Sequence, residues 1–239
     1  MDDWDTIADW YAAQLSAGSA MHDFARDALL AALPQDLSRV RVVDLGCGEG
    51  IITRAVTGRG AIAIGVDPTA RLVEHARSIE KAAPRGVTYA VDDGATLATL
   101  GDGSADWITA GLSLNNVPDL DAALRSIRRV LTPGGRLVFT IPHPCFEAPH
   151  AGWADDGDGT SRRLVGDYFV EGFWRSANPS GVRRAGNQHR ILSGYLMALV
   201  NHGFVIELVA EPQPDRRLVE ELPQRAGLPP FLVVRSRRG

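Results

Sequence analysis

The sequence predicts an α/β fold, a parallel sheet with helices on both faces. Strand-like and helix-like segments alternate along nearly the whole chain, the pattern of parallel strands joined by crossover helices. The segment Val42-Val43-Asp44-Leu45-Gly46-Cys47-Gly48-Glu49-Gly50 reads as a buried strand that stops in a turn of small residues and opens a helix at Ile51. A second apolar strand ends in an acid, Asp67, about twenty residues beyond that loop. Glycines at 46, 48 and 50 let the backbone turn sharply and approach a ligand closely.

Taken in order, Met21 to Leu33 is an alanine- and leucine-rich helix ended by Pro34. The glycine loop leads into a helix over Ile51 to Thr57. Ala61 to Val66 is the second strand, followed by a helix from Thr69 to Ala82, before Pro84. Val87 to Val91 forms a third strand running into Asp92-Asp93-Gly94. Ala105 to Ala110 forms a fourth, leading to Gly111-Leu112-Ser113-Leu114-Asn115-Asn116. The next helix carries Leu120, Leu124, Ile127 and Leu131 on one face, with Pro118 in its first turn and Pro133-Gly134-Gly135 as its stop. Ile191 to Val200 is another amphipathic helix, and Phe204 to Val209 and Phe231 to Val234 are the last two strands. Between those strands, Pro212, Pro214, Pro223, Pro229 and Pro230 predict a long surface excursion.

Residues 142–189 break the rhythm. Gly152-Trp153-Ala154-Asp155-Asp156-Gly157-Asp158-Gly159 is too polar and glycine-rich for a core element. Asp167-Tyr168-Phe169-Val170-Glu171-Gly172-Phe173-Trp174 is the densest aromatic cluster. An insertion this long, leaving the carboxyl end of the sheet, reads as a lid over an acceptor site. Residues 1–33 are expected to add a helical cover.

The bulk properties bound the function. A chain of 239 residues, 45% hydrophobic, most simply forms a single domain. Net charge is −4, with no block of like charges, so neither nucleic acid nor an anionic membrane is the expected partner. Two cysteines, Cys47 and Cys145, are too few for a disulfide framework and fit a reducing cytoplasm. The acidic, aromatic start (Asp2, Asp3, Trp4, Asp5) is unlike a signal peptide, and no apolar run is long enough to span a bilayer. A monomer or homodimer is expected.

The acid before the first glycine narrows the ligand. A helix N-terminus in a dinucleotide fingerprint faces a pyrophosphate, which a carboxylate at Asp44 would repel. A ligand with cationic groups fits better, such as S-adenosylmethionine. The chain resembles the class I S-adenosylmethionine-dependent methyltransferases over nearly its whole length. Val42 to Gly50 looks like their first motif, Asp67 like the ribose-binding acid, and Arg128-Arg129-Val130-Leu131-Thr132-Pro133-Gly134-Gly135-Arg136-Leu137-Val138 like their helix–turn–strand signature. The resemblance implies a Rossmann-like seven-stranded sheet, mostly parallel, with the last two strands antiparallel at one edge. It also implies S-adenosylhomocysteine as product and a donor site built from Asp44, Gly46, Cys47, Gly48, Asp67 and Pro68. Asp93 and Gly94 meet the adenine, with Asp92 as the alternate. Gly111 passes under the methionine end, and Tyr11 approaches the methionine carboxylate.

Methyl transfer requires a nucleophile aligned about 3 Å from the methyl carbon and water kept out. His143, just after the fifth strand, with His189 and Tyr195 near the following helix, are candidate bases for an O–H or N–H acceptor. Phe146, Phe169, Phe173 and Trp174 are candidate walls of an aromatic box. Each has a plainer reading: a strand cap for His143, a helix turn for His189, core burial for Tyr195 and for the aromatic run. His22, His75, His150 and His202 read as surface or packing residues, and Cys47 as a small loop residue. No metal is expected, because no His/Cys/Asp/Glu spacing suggests one. The His-Pro-Cys-Phe-Glu segment resembles stand-alone methyltransferases of biosynthetic gene clusters. That implies a small aromatic acceptor and a role in secondary metabolism, with C3-methylation of an indole, as in the physostigmine type, one form and O- or N-methylation by a histidine base another. A macromolecular methyltransferase, an NAD-dependent oxidoreductase and a non-catalytic S-adenosylmethionine binder are the competing classes.

Overall fold

The computed structural model describes residues 3–157 and 161–239. Asp2 of the acidic start, and Asp158 and Gly159 of the polar stretch, lie outside them. Two helices come first, α1 (Trp4–Ala17) and α2 (Ala20–Ala31). Their entries are capped by side chains: Asp3 Oδ1 accepts from the Thr6 amide at 2.8 Å, and Ser19 Oγ from the His22 amide at 3.4 Å. Then β1 (Arg41–Leu45), α3 (Ile51–Thr57), β2 (Ile62–Asp67), α4 (Ala70–Ala82), β3 (Thr88–Val91), β4 (Ala105–Gly111), α5 (Leu120–Val130) and β5 (Leu131–Pro142) alternate. The insertion folds into two antiparallel pairs, β6 (Gly152–Asp155) with β7 (Ser161–Leu164), and β8 (Gly172–Trp174) with β9 (Asn187–His189). Next come α6 (Leu192–Asn201), β10 (Phe204–Ala210), α7 (Arg216–Glu221) and β11 (Phe231–Arg238).

The main sheet has seven strands in the order β10-β11-β5-β4-β1-β2-β3. The strands from β5 to β3 run parallel, while β11 lies antiparallel between β10 and β5. This is the expected architecture. β1 sits between β4 and β2, where the strand order reverses, and such a switch point leaves a crevice at the carboxyl ends of the strands. Both faces of the sheet are covered, so β1 buries four of its five residues. One core lies under α5 and α6, with Leu124, Ile127, Leu137, Phe139 and Leu199. The other lies under α2 and α3, with Leu29, Ile52, Val56 and Val138.

Two local expectations change. Pro118 precedes α5 rather than opening it, since Asp119 is the cap and accepts from the Ala122 amide at 2.8 Å. The helix also ends at Val130, before the Pro-Gly-Gly turn. Pro133 has no N–H to return to the Arg129 carbonyl, and that carbonyl accepts from the Gly103 amide at 3.0 Å instead. Leu131 is extended (φ −67, ψ 141) yet still fully buried. The proline-rich stretch between the last strands is not all surface loop: α7 buries Leu218 against Ala20 and Phe24 of α2.

Candidate active site

A cavity of about 160 Å³ opens at the carboxyl ends of the central strands. Its walls are Gly46 and Gly48 after β1, Asp67 and Pro68 ending β2, Asp93 and Gly94 after β3, Gly111 to Ser113 after β4, and Trp4 and Tyr11 of α1. The loop after β1 is held from both sides. The Gly46 and Cys47 amides donate to the Val66 carbonyl at 2.8 and 3.0 Å. Gly46 has φ +67, and a Cβ there would run into the Ser113 side chain, so both its conformation and its surroundings demand glycine. Asp67 ties the loop to β2: its Oδ2 accepts from the Gly48 amide and its Oδ1 from the Thr69 amide, each at 2.9 Å. Burial pushes its carboxyl up from the ordinary range, although those two amides pull it back.

Each predicted donor-site residue has a definite place. Gly46, Gly48, Asp67, Pro68, Asp93, Gly94, Gly111 and Tyr11 border the cavity. Cys47 borders a smaller neighbouring recess, and burial raises its thiol well above the usual range, so it stays a neutral small residue. Asp92 faces away. Its oxygens accept from the amides of Asp93, Ala98 and Thr99 (2.8, 3.0 and 2.8 Å), which shapes the turn that presents Asp93.

Asp44 does not border the cavity either. Its Oδ2 accepts from the Thr53 hydroxyl at 2.7 Å and its Oδ1 from the Thr109 hydroxyl at 2.8 Å, which pins α3 and β4 to β1. Desolvation pushes its carboxyl up to about 6 despite those bonds. The cation-attracting role expected from sequence is therefore replaced by a buried structural one. Tyr11 stands at the edge of the site with Trp4 packed edge-on at 5.4 Å. Burial and the nearby Glu49 and Asp67 charges raise its phenol above the ordinary value, so it remains un-ionised.

A second cavity, about 370 Å³, adjoins the first and shares Trp4, Tyr11, Leu112 and Asn116 with it. It lies between α1, α2, the loop after β4 and the insertion, which contributes Ser180, Val182, Arg183 and Asn187. The expected acceptor residues do not line it. His143 is buried with both ring nitrogens engaged: Nδ1 accepts from the Cys145 amide at 3.3 Å, so Nε2–H donates to Glu211 Oε1 at 2.7 Å. His189 Nε2 donates to the Tyr168 carbonyl at 2.8 Å. Tyr195 is packed into the core beside Phe139.

Nor does the aromatic run form a box on this cavity. Phe146 and Phe169 flank a separate open groove, and Phe169 is 83% exposed. Phe173 stacks under Arg175 at 5.2 Å and Trp174 under Arg183 at 5.8 Å. The reason is strand pairing. β8 lies against β9 in a two-stranded ribbon on which Phe173 is exposed, while Trp174, on the opposite face, is partly buried away from the cavity. The aromatic walls are supplied instead by Trp4, Trp10 and Tyr11 of α1. The N-terminal cover was legible in the sequence, but Trp10, His22, Asn115 and Asn187 were not, since no local pattern brings them together. Among the described residues no cluster of His, Cys, Asp or Glu is arranged to hold a metal ion.

Comparison with known proteins places the chain in a family. A family model described as a methyltransferase domain matches residues 43–139, from β1 to β5. The chain is 36% identical over 105 residues to a ubiquinone biosynthesis O-methyltransferase of Xanthomonas oryzae pv. oryzae, and that match spans 44% of each chain. It is 30% identical over 213 residues to a ubiquinone/menaquinone biosynthesis C-methyltransferase of Nitrobacter hamburgensis, covering 77% of this chain and 81% of the relative. The crystal structure of an S-adenosylmethionine-dependent methyltransferase from Mesorhizobium loti superposes with a TM-score of 0.76 at 33% identity, over 93% of this chain and 99% of that one.

Proposed function

Because the chain belongs to the S-adenosylmethionine-dependent methyltransferases, we propose that it methylates a small aromatic acceptor seated in the cavity between α1, α2 and the insertion, with S-adenosylhomocysteine as the other product. S-adenosylmethionine is its methyl donor. The donor cavity fits that molecule: Asp67 offers carboxylate oxygens at the ribose position, Asp93 and Gly94 offer an acceptor and an amide at the adenine position, and three backbone approaches are free of side chains at Gly46, Gly48 and Gly111. When bound, the donor supplies an electrophilic methyl carbon. The protein's task is to hold both partners, exclude water and manage the acceptor's proton.

The observation that carries this reading is the junction of the two cavities. Tyr11, Leu112 and Asn116 border both, so a molecule in the second cavity meets the donor site directly. Trp4 and Trp10 suit a flat ring, and Asn115, Asn116 and Asn187 supply polar edges. Relatives whose names place them in quinone biosynthesis, one an O- and one a C-methyltransferase, support an aromatic acceptor and a biosynthetic role. Which atom is methylated is read by experiment: indoles, phenols and amines incubated with protein and donor, with products analysed by mass and NMR. A 14-dalton gain on one class is expected. Binding of the donor without transfer to any member would overturn the small-aromatic reading.

A further inference from the structure

We propose that His22 is the general base of this enzyme, taking the proton of a hydroxyl or amine acceptor on Nε2. The inference rests on the second cavity being the acceptor site. His22 opens α2 and borders that cavity, and it also borders the recess beside the glycine loop. Its ring packs edge-on against Tyr11, centroids 5.5 Å apart, and Tyr11 stands at the junction with the donor cavity. Nδ1 is 2.8 Å from Ser19 Oγ, the α2 cap. With the Nδ1–H tautomer donating to that oxygen, Nε2 keeps its lone pair, and among the described residues nothing hydrogen-bonds to it.

His143 and His189 do not line this cavity, and Nε2 of each is committed as a donor within the protein. Asn115 adds a second unmet group. It borders the same cavity, its Nδ2 donates to Asn116 and Asn187 at 3.1 and 3.2 Å, and its buried Oδ1 has no partner among the described residues. An unpartnered base nitrogen on a residue bordering this cavity suits a ligand that brings a hydrogen-bond donor: a phenol or an aromatic amine.

The acceptor oxygen or nitrogen forms a bond to the methyl carbon, the carbon–sulfur bond breaks with its electron pair remaining on sulfur, and the acceptor's proton passes to His22 Nε2, leaving an imidazolium. The titratable and charged groups around it are Asp23 on its own helix, Tyr11 from α1, Arg26 and Glu49 lining the recess, and Arg183 and Glu221 lining the cavity. Burial lowers the basicity of His22, against the opposing charge of Asp23, so the ring is neutral and ready to accept a proton at neutral pH.

The test uses the full chain with H22Q and H22A. Calorimetry with S-adenosylhomocysteine and circular dichroism come first, and donor binding and fold are expected to survive in H22Q. With the acceptor found on the phenol and amine panel, kcat of H22Q should fall by about 10²–10⁴-fold. The acidic limb of the kcat profile should vanish with it, and added imidazole should restore part of the H22A rate. Independently of turnover, ¹⁵N NMR should show the His22 ring as the Nδ1–H tautomer, titrating below an ordinary histidine. Methyl transfer by the wild type that persists at full rate in H22Q would overturn the base assignment while leaving the acceptor site standing. An Nε2–H tautomer would overturn it as well. If the wild type transfers to nothing on the panel, the acceptor-site reading fails first and the base assignment with it.

Discussion

Asp67 spends one lone pair of each carboxylate oxygen on backbone amides, Gly48 and Thr69, and still faces the donor cavity with the remaining pairs. Exchange for alanine removes the carboxylate we propose for the ribose and releases the glycine loop together. Donor affinity is expected to fall by about 1.5–3 kcal/mol, the scale of hydrogen bonds to a charged group, and calorimetry with S-adenosylhomocysteine reads it. Unchanged affinity would undo the donor-site assignment. Asp44 makes the opposite kind of statement. Its folded-state value, about 6, lies above the unfolded value near 4, so the native state binds the extra proton between those limits. Its contribution to stability is therefore present at low pH and lost as pH rises from about 4 to 6. Asp44→Asn should flatten the melting temperature across that window relative to wild type.

Among elements, the insertion is tied together by charge, and one of the ion pairs joins it to the segment before β11. Buried Glu147, just after β5, pairs with Arg163 at 3.0 Å, Arg183 at 2.9 Å and Arg225 at 2.8 Å. Two of those arginines belong to the insertion and one to the segment before β11. Burial alone would raise the Glu147 carboxyl, but the three guanidinium charges outweigh it and hold it below the usual range. Its contribution is present above the unfolded value and lost as pH falls through the folded one. Glu147→Gln leaves buried guanidinium groups without a counter-charge, an expected cost of about 3–5 kcal/mol. Limited proteolysis should then cut within residues 150–185 far faster than in wild type, and an unchanged digestion pattern would refute the latch.

For the whole molecule, the donor cavity draws on four successive strand ends and on α1, so the ligand should bind only the folded chain. A ligand at 100 times its dissociation constant adds about 2.7 kcal/mol, which for a domain of this size raises the melting temperature by roughly 5–10 °C. S-adenosylhomocysteine should give that shift, and Asp67→Ala should reduce it. A melting temperature indifferent to S-adenosylhomocysteine would contradict the cavity's role.

The sequence by itself determined the seven-stranded sheet and pointed to the glycines and acids that border the cavity at its strand ends, because each of these follows a strand whose periodicity is local and recurs at a set spacing. It could choose between Asp92 and Asp93 only through the motif's alignment; in the folded turn Asp93 borders the cavity, while the oxygens of Asp92 accept from the amides of Asp93, Ala98 and Thr99. Two matters were decided by tertiary structure alone. Asp44 was read as facing the ligand, but Thr53 and Thr109, distant in sequence, take both its oxygens. The acceptor's bases and aromatic walls were sought between residues 143 and 195, where histidines and aromatics are dense, with residues 1–33 as an added cover. The cavity we propose for the acceptor is lined by none of those histidines and aromatics, but by residues from 4–22, from 112–116 and from 180–187 of the insertion, which meet only through packing. Whether a histidine can act as a base depends on which neighbours occupy its nitrogens, and those neighbours are set by the fold.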